Sequence, residues 1–480
     1  MQELPDLSQM SHAQKDELIR VLWQMVLDLQ ERVKVLEGRL ALTSHNSSKP
    51  PSSDGLSKKP APKSLRQTGL LPTGGQKGHS GNTLRQSAQV DHVIEHYSDS
   101  GSGACPVCSR TAAQYSIIDK RQVFELPVLR AQVTEHRLMR RACTCGAVHD
   151  GAFPPGINAP AQYGASVKAM AVHLNQYHLV PLERTCQLMH DIFGVSLAQG
   201  SVQSFGQQAA FRLSPTVAAI GQAVQSAPVV HADESGIRVK GKLAWLHCLV
   251  TPTLSWLAQH SRRGQLAFDA LGLLAGVRGT LVHDGLASYK ELKCTHSLCN
   301  AHHLRELTFI HEQCNEKIWD GWATQMMALL VEAKREVHDE GGPLQPQRQA
   351  WFVSQWDQLL ARGEQLNPQA VHTGAPTGKR GRQAQSKAFN LLRRLRLYRA
   401  DVWRFMTDRD VPFTNNLAEQ ALRMCKVKQK ISGCFRTTAG ADAFFTIRSY
   451  LATMHKQGAC LFDCLVSTFN GQPNQPCLAA

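Results

Sequence analysis

Three acidic residues stand at points of the chain where a carboxylate can be held rigidly. Asp233 closes the apolar run of APVVHADESG, Asp284 closes that of GTLVHDGLASY, and Glu419 lies in VPFTNNLAEQALR, which reads as the start of a helix. Open α/β sheets place ligand-binding groups at the ends of such strands, and the first turn of a helix is an equally rigid mount. Two strands side by side would bring the aspartates to one sheet edge, and a helix across that edge would add the glutamate. Three anionic oxygen donors suit a hard cation such as Mg²⁺. Two such ions would activate a water or a 3′-hydroxyl and stabilise the leaving oxygen of an in-line phosphoryl displacement. Each acid also has a plain structural reading. Asp233 and Asp284 can begin turns, and Glu419 can close a capping box whose N-cap is Asn416. Spacing alone leaves both readings open.

Thiols form the second group with chemistry to offer. Cys105-Pro-Val-Cys108 and Cys143-Thr-Cys145 bracket a segment of strand character, VFELPVLRAQVTEHRLMRR. Two close cysteine pairs on facing knuckles place four thiolates tetrahedrally around Zn²⁺, and a closed four-ligand set is structural rather than catalytic. The second pair has one intervening residue where two are usual, so four reduced cysteines in a small β unit is the alternative. Cys294, His296, Cys299 and His302 follow the second acid at spacings that permit another zinc site; a structural or active-site-lining role is the favoured expectation.

The elements that must position these groups are legible from periodicity. Residues 19–40 carry Ile19, Leu22, Val26, Leu29, Val33, Leu36 and Leu40, alternating steps of three and four, with β-branched residues alternating with leucine. That is the seam of a parallel two-stranded coiled coil; a single amphipathic helix docked on its own domain is the alternative. Residues 45–81 are rich in Pro, Ser, Gly and Lys and read as a flexible basic tether. Residues 164–212 read as helices around a Gly194-Val195 turn, the outline of a helix-turn-helix and equally of any αα-hairpin. Strands follow from about 227, helices from roughly 301 to 405, and a last helical block from Asn416 to about 468.

Charge narrows the partner. Lys plus Arg total 53 against 38 Asp plus Glu, a net +15, which favours a polyanion. No run approaches the roughly 20 apolar residues of a spanning helix, and the N-terminus lacks a signal-peptide order. Fourteen scattered cysteines suit reduced thiols. The expectation is a cytoplasmic, nucleoid-associated protein with no membrane partner.

The stretches HADESG, LVHDGLASY with CNAHHLREL behind it, and VPFTNNLAEQALRMCKVKQKISG resemble the three blocks of the transposases of the insertion sequence 66 family, and the order of the preceding parts matches as well. The resemblance implies an α/β, RNase H-like catalytic core with Asp233, Asp284 and Glu419 as a DDE triad, and a helical insertion between the second and third acids. It implies a coiled-coil dimerisation helix at 1–43, a basic linker at 44–100, a zinc-binding domain at 101–152, a helical DNA-binding segment at 160–215, a catalytic domain at 225–455 with its insertion at about 312–405, and a tail at 456–480. The expected activity is Mg²⁺-dependent nicking and strand transfer of DNA at the ends of an insertion sequence. Its partners would be element ends and target DNA, a second copy of the chain or a higher homo-oligomer, and accessory proteins of the same element. Arg305, Lys426, Lys428 and Lys430 are the expected DNA contacts, Lys426 lying two helical turns beyond Glu419; solvated surface charges are the alternative. A non-catalytic DNA-binding repressor or architectural factor is the rival function.

Charge placed at d positions is incompatible with the seam. Leu22→Lys with Leu29→Lys should lower the mass measured by light scattering to that of a single chain while leaving the thermal transition of the core in place; an unchanged mass would remove the seam as the contact between copies.

Overall fold

The computed structural model describes residues 10–40, 42, 46, 84, 86–96, 108, 110, 117–145, 148–313, 321–370 and 385–479. The chain divides into two compact units, one of residues 1–58 and 133–480 and one of 59–132. In the smaller unit two extended segments lie side by side: Gln86 Nε2 donates to Lys120 O at 2.7 Å, and the Gln122 side chain bonds both N and O of Ser87. Cys105 and most of the expected linker lie outside the described residues.

The larger unit opens with α1 (His12–Leu40), an unbroken helix whose seam from Ile19 to Leu40 stays exposed. Just past its end, Leu42 packs against the core of the later helices and Asn46 Nδ2 donates to Glu312 at 2.8 Å. A short antiparallel hairpin, β1 (Arg140–Ala142) and β2 (Val148–Asp150), is clamped by Arg140 on Asp150, and Cys143 and Cys145 stand exposed where it turns.

Next come α2 (Ala165–Val172), extended by a π turn over His173–Tyr177, then α3 (Leu182–Phe193), closed by Gly194 in the left-handed region at φ 68°, and α4 (Gln199–Gln225). Glycine is the residue that takes this conformation without strain. Two helices about a glycine turn are therefore present. However, α4 buries Val202, Phe205, Ala209, Leu213, Val217 and Val224, spaced by three, four or seven, within the same core as the central sheet. The helical segment does not end at 215 as a separate part.

The central sheet is built from β3 (Val229–Val239), β4 (Lys242–Val250) and β5 (Ser255–His260), then, after α5 (Gln265–Leu271), from β6 (Thr280–His283) and β7 (Thr295–Leu298). Its order is β5-β4-β3-β6-β7; the first three strands are antiparallel and the last two run parallel to β3. Sequence periodicity ends the first strand at Asp233, whereas β3 runs on to Val239. The cause is β4: pairing from His231↔Val250 to Val239↔Lys242 carries the strand past its apolar run. Lys240 and Gly241, at φ 51° and 73°, make the two-residue turn that fits the twist of such a hairpin.

Beyond β7 the chain forms α6 (Asn300–Gln313), α7 (Trp322–Glu340), α8 (Pro346–Leu366), α9 (Lys387–Leu397) and α10 (Arg399–Thr407). They share a core in which Met326, Leu330, Phe352, Trp356, Leu360 and Trp403 are buried. The chain then returns to the sheet as α11 (Asn416–Ser432), α12 (Thr438–Lys456) and α13 (Leu461–Phe469). Residues 456–480 are not a tail: α13 buries Leu461, Cys464, Leu465 and Phe469 beneath α2 and α4, because its apolar residues recur at helical spacing. No helix among the described residues is long and apolar enough to cross a membrane.

Gly279 sets how closely β6 approaches β3. A Cβ there would stand 2.3 Å from Pro228 O and 2.4 Å from Ala227 O, and both obstacles are backbone. Gly279→Ala should destabilise the protein by about 1–3 kcal/mol, as overpacking does, whereas Gly200→Ala, with nothing within 4 Å of the new atom, should be neutral or slightly stabilising. Equal melting temperatures for the two variants would contradict the close approach.

Candidate active site

The parallel register pairs Val229 with Thr280, Val230 with Leu281 and His231 with Val282. Two residues further along each chain stand Asp233 and Asp284, so the register sets the two aspartates level with each other. The carboxylate oxygens of Asp233, Glu234 and Asp284 all lie within 4.8 Å of one another. Asp284 Oδ1 accepts from Leu286 N at 3.1 Å, the bond of a local turn, whereas Asp233 begins no turn: it lies inside β3, where its Oδ1 accepts from the neighbouring Glu234 N at 2.8 Å. The local bonds and the carboxylate cluster therefore coexist.

Glu419 reaches this region from α11, but not as part of a capping box. The N-cap is Asn415, not Asn416, and its side chain does not cap. Instead, Asn415 Nδ2 donates to Ala232 O at 2.8 Å, its Oδ1 lies 2.8 Å from His231 Nδ1, and its backbone N–H donates to Cys299 Sγ at 3.2 Å. The amide that would have served the helix is used to fasten the helix to β3. Glu419 Oε1 is buried with no hydrogen-bond partner, and Arg305 Nη2 stands 3.8 Å away.

The expected cysteine and histidine group is split by the fold. A ring nitrogen of His302, Cys299 Sγ and a Glu419 oxygen lie within 4.8 Å of one another. His296 faces elsewhere, its ring nitrogens 3.1 Å from His283 Nε2 and 3.1 Å from Leu292 O. Of the expected DNA contacts, Lys426 turns its amine onto Gly236 O of β3, Lys428 is half-buried, and Lys430 is exposed. Arg305 is half-buried beside Glu419, with its Nε unpartnered.

Glu234 escaped the sequence analysis although it adjoins Asp233. Its side chain is fully buried; Oε1 receives two bonds from Arg263, at 2.6 and 2.9 Å, and Oε2 one from the Tyr289 hydroxyl at 2.7 Å. Arg263 in turn stacks on Trp245, 4.8 Å from the ring centre. The Asp-Glu dipeptide was the available signal; the partners that make it matter come from α5's approach and from the turn after β6, which no local pattern announces.

Burial, with Glu234 and Asp284 as close negative neighbours, raises the Asp233 carboxyl well above its ordinary range. Burial and Asp284 raise Glu234 as well, opposed by Tyr289 and Arg263. His302 is pushed down to about 4 by burial and by Arg305, which leaves its imidazole neutral at physiological pH. A raised carboxyl binds its proton more tightly in the native state than in the unfolded chain, so stability falls as pH rises from the ordinary value of 3.8 toward the raised one. Asp233→Asn removes that loss. In chelated buffer the variant should therefore melt higher than the parent near neutral pH, with the difference shrinking toward about pH 4; a difference independent of pH would contradict the strained carboxylate cluster.

Residues 160–443, more than half of the chain, match the family model described as Transposase IS66 family, and residues 2–85 match that of a family of unknown function (DUF6444). No curated protein matches. The first match takes in β3, β6, β7 and α11 with every acid of the site. The chain belongs to the Transposase IS66 family, and so to a class of enzymes that bind and cleave DNA.

Proposed function

We propose that the chain is a DDE transposase, with Asp233, Asp284 and Glu419 as the ligands of catalytic Mg²⁺ in an RNase H-like core. The observation that carries this reading is the meeting of three elements. Parallel register levels the two aspartates, and α11 brings Glu419 near enough to help raise Asp233, with a buried oxygen that accepts no hydrogen bond and has only Arg305 Nη2, at 3.8 Å, beside it. A buried polar atom of that kind calls for a partner, and the unbalanced negative charge that raises Asp233 fits a divalent cation with oxygen ligands. The mixed sheet, three antiparallel strands followed by two parallel ones, supports the core assignment. When bound, Mg²⁺ supplies an activated water or 3′-hydroxyl and stabilises the leaving oxygen of the phosphodiester.

The chain's own residues do the positioning. Asn415 fixes α11 on β3, so Glu419 is presented at a set height one helical turn later. Glu234 takes the positive charge of Arg263 and the hydroxyl of Tyr289, which holds the strand beneath Asp233 in place and keeps that arginine off Asp233. Arg305, 3.8 Å from Glu419 and with a buried Nε that has no hydrogen-bond partner, is the residue assigned to donate to a phosphate oxygen. Lys430 is exposed on α11 for the DNA backbone, and the net +15 supplies the longer-ranged attraction. Lys426, whose amine is held by Gly236 O, orients α11 on the sheet unless DNA displaces that bond. Two copies joined along the stripe of α1 complete the reading.

Because Glu419 caps nothing and accepts no hydrogen bond, replacing it by glutamine should cost only its ion pair with Arg305, about 1 kcal/mol or less. The same variant should retain DNA binding and lose cleavage by at least about 10²-fold, measured on a duplex carrying element ends in Mg²⁺. Cleavage near the parental rate would overturn the triad and favour a DNA-binding protein that does not cut.

A further inference from the structure

On the proposed function Glu419 serves two ligand sets. One is the hard-oxygen set with the aspartates proposed above. The other is the group it forms with Cys299 and His302, whose Sγ, ring nitrogen and carboxylate oxygen lie within 4.8 Å of one another. In this second set two donor atoms are left open: His302 Nδ1 and Glu419 Oε1 are both buried and both without a hydrogen-bond partner. Native structures seldom bury such atoms unpaired. Cys299, almost fully buried, accepts the Asn415 N–H at 3.2 Å and directly precedes the first residue of α6.

Thiolate, imidazole and carboxylate together select a borderline-soft ion over Mg²⁺, and three protein ligands with a fourth position open are a known zinc arrangement. We propose that Cys299, His302 and Glu419 form a second divalent-metal site that takes Zn²⁺. The Cys299 thiol gives up its proton to solvent as the metal–sulfur bond forms. The functional consequence rests on the reading of Glu419 as the third catalytic acid. A carboxylate drawn onto Zn²⁺ by Cys299 and His302 is withdrawn from the Mg²⁺ set, so Zn²⁺ acts as a brake on cleavage that added Mg²⁺ relieves. The shared glutamate is the moving part, since Asp233 lies within β3 and Asp284 is tied to the turn directly after β6, while Glu419 is a longer side chain on a helix.

Zinc content after loading and dialysis, measured on the full-length chain, tests the site without reference to activity. The four cysteines at 105, 108, 143 and 145 contribute equally to parent and variants, so the difference alone is read. Cys299→Ser and His302→Gln should each hold one zinc ion fewer per chain than the parent. In the Co²⁺-loaded proteins, Cys299→Ser should lose a thiolate charge-transfer band that His302→Gln weakens. If Cys299→Ser fails to fold, His302→Gln carries the test, because its side chain is only partly buried. Equal zinc content in parent and folded His302→Gln protein would overturn the site. Zinc bound with one ion lost in the variants, yet with no inhibition of parental cleavage at limiting Mg²⁺, would overturn the brake. Should Glu419→Gln cut DNA normally, the catalytic reading falls while the zinc count still stands or fails by itself.

Discussion

The hydrogen bonds of Asn415 govern the geometry of the site. Its side chain spans two successive residues of β3, His231 and Ala232, while its backbone donates to Cys299 at the end of β7. Each bond is worth roughly 0.5–1.5 kcal/mol net, but leaving any of these buried groups unpaired costs about 1–3 kcal/mol, so the arrangement is enforced mainly by what its loss would expose. Residues far apart in sequence are thereby set in one place. The strand carrying Asp233, the strand whose end carries Cys299, and the helix carrying Glu419 all meet at this one buried amide.

Around that anchor the chain separates charges by role. Glu234 is neutralised by Arg263 and Tyr289 and is therefore a structural carboxylate, whereas Asp233, next to it in sequence, has only the Glu234 backbone N–H. Burying an uncompensated carboxylate is expensive, and the protein tolerates it at Asp233 because the surrounding sheet and helices overdetermine the backbone there. An uncompensated carboxylate gathered with two others from neighbouring strands is the physical signature expected of a cation site. The same reasoning extends to Glu419 and His302, whose buried Oε1 and Nδ1 accept or donate no hydrogen bond.

Much of this was legible beforehand. The short apolar run before Asp284 is β6, Glu419 does lie in the first turn of a helix, and the long helical stretch between them forms its own core, all because periodicity and chain punctuation are local signals. Asp233 was placed at a strand end because its apolar run stops there, yet pairing with β4 carries the strand six residues further. The capping box was a reasonable local reading that a tertiary bond overrode, since Asn415 spends its amide on β3. Lys426 shares the face of Glu419, as helical geometry requires, but that face meets the sheet, so the amine is bound to Gly236. The supposed tail folds under α2 and α4 because its apolar spacing finds a groove that only the assembled core creates. None of these outcomes is encoded within one element; each depends on the neighbour that packs against it.

The central claim is that Asp233 and Asp284, set level by the β3–β6 register, jointly hold a divalent cation. Mn²⁺, as a paramagnetic stand-in for Mg²⁺, allows this to be counted by the loss of its free-ion electron spin resonance signal in the presence of duplex DNA. The account predicts bound Mn²⁺ on the parent chain and its loss from Asp233→Asn and from Asp284→Asn, each folded and still bound to DNA. Equal Mn²⁺ binding by the parent and both variants would contradict it.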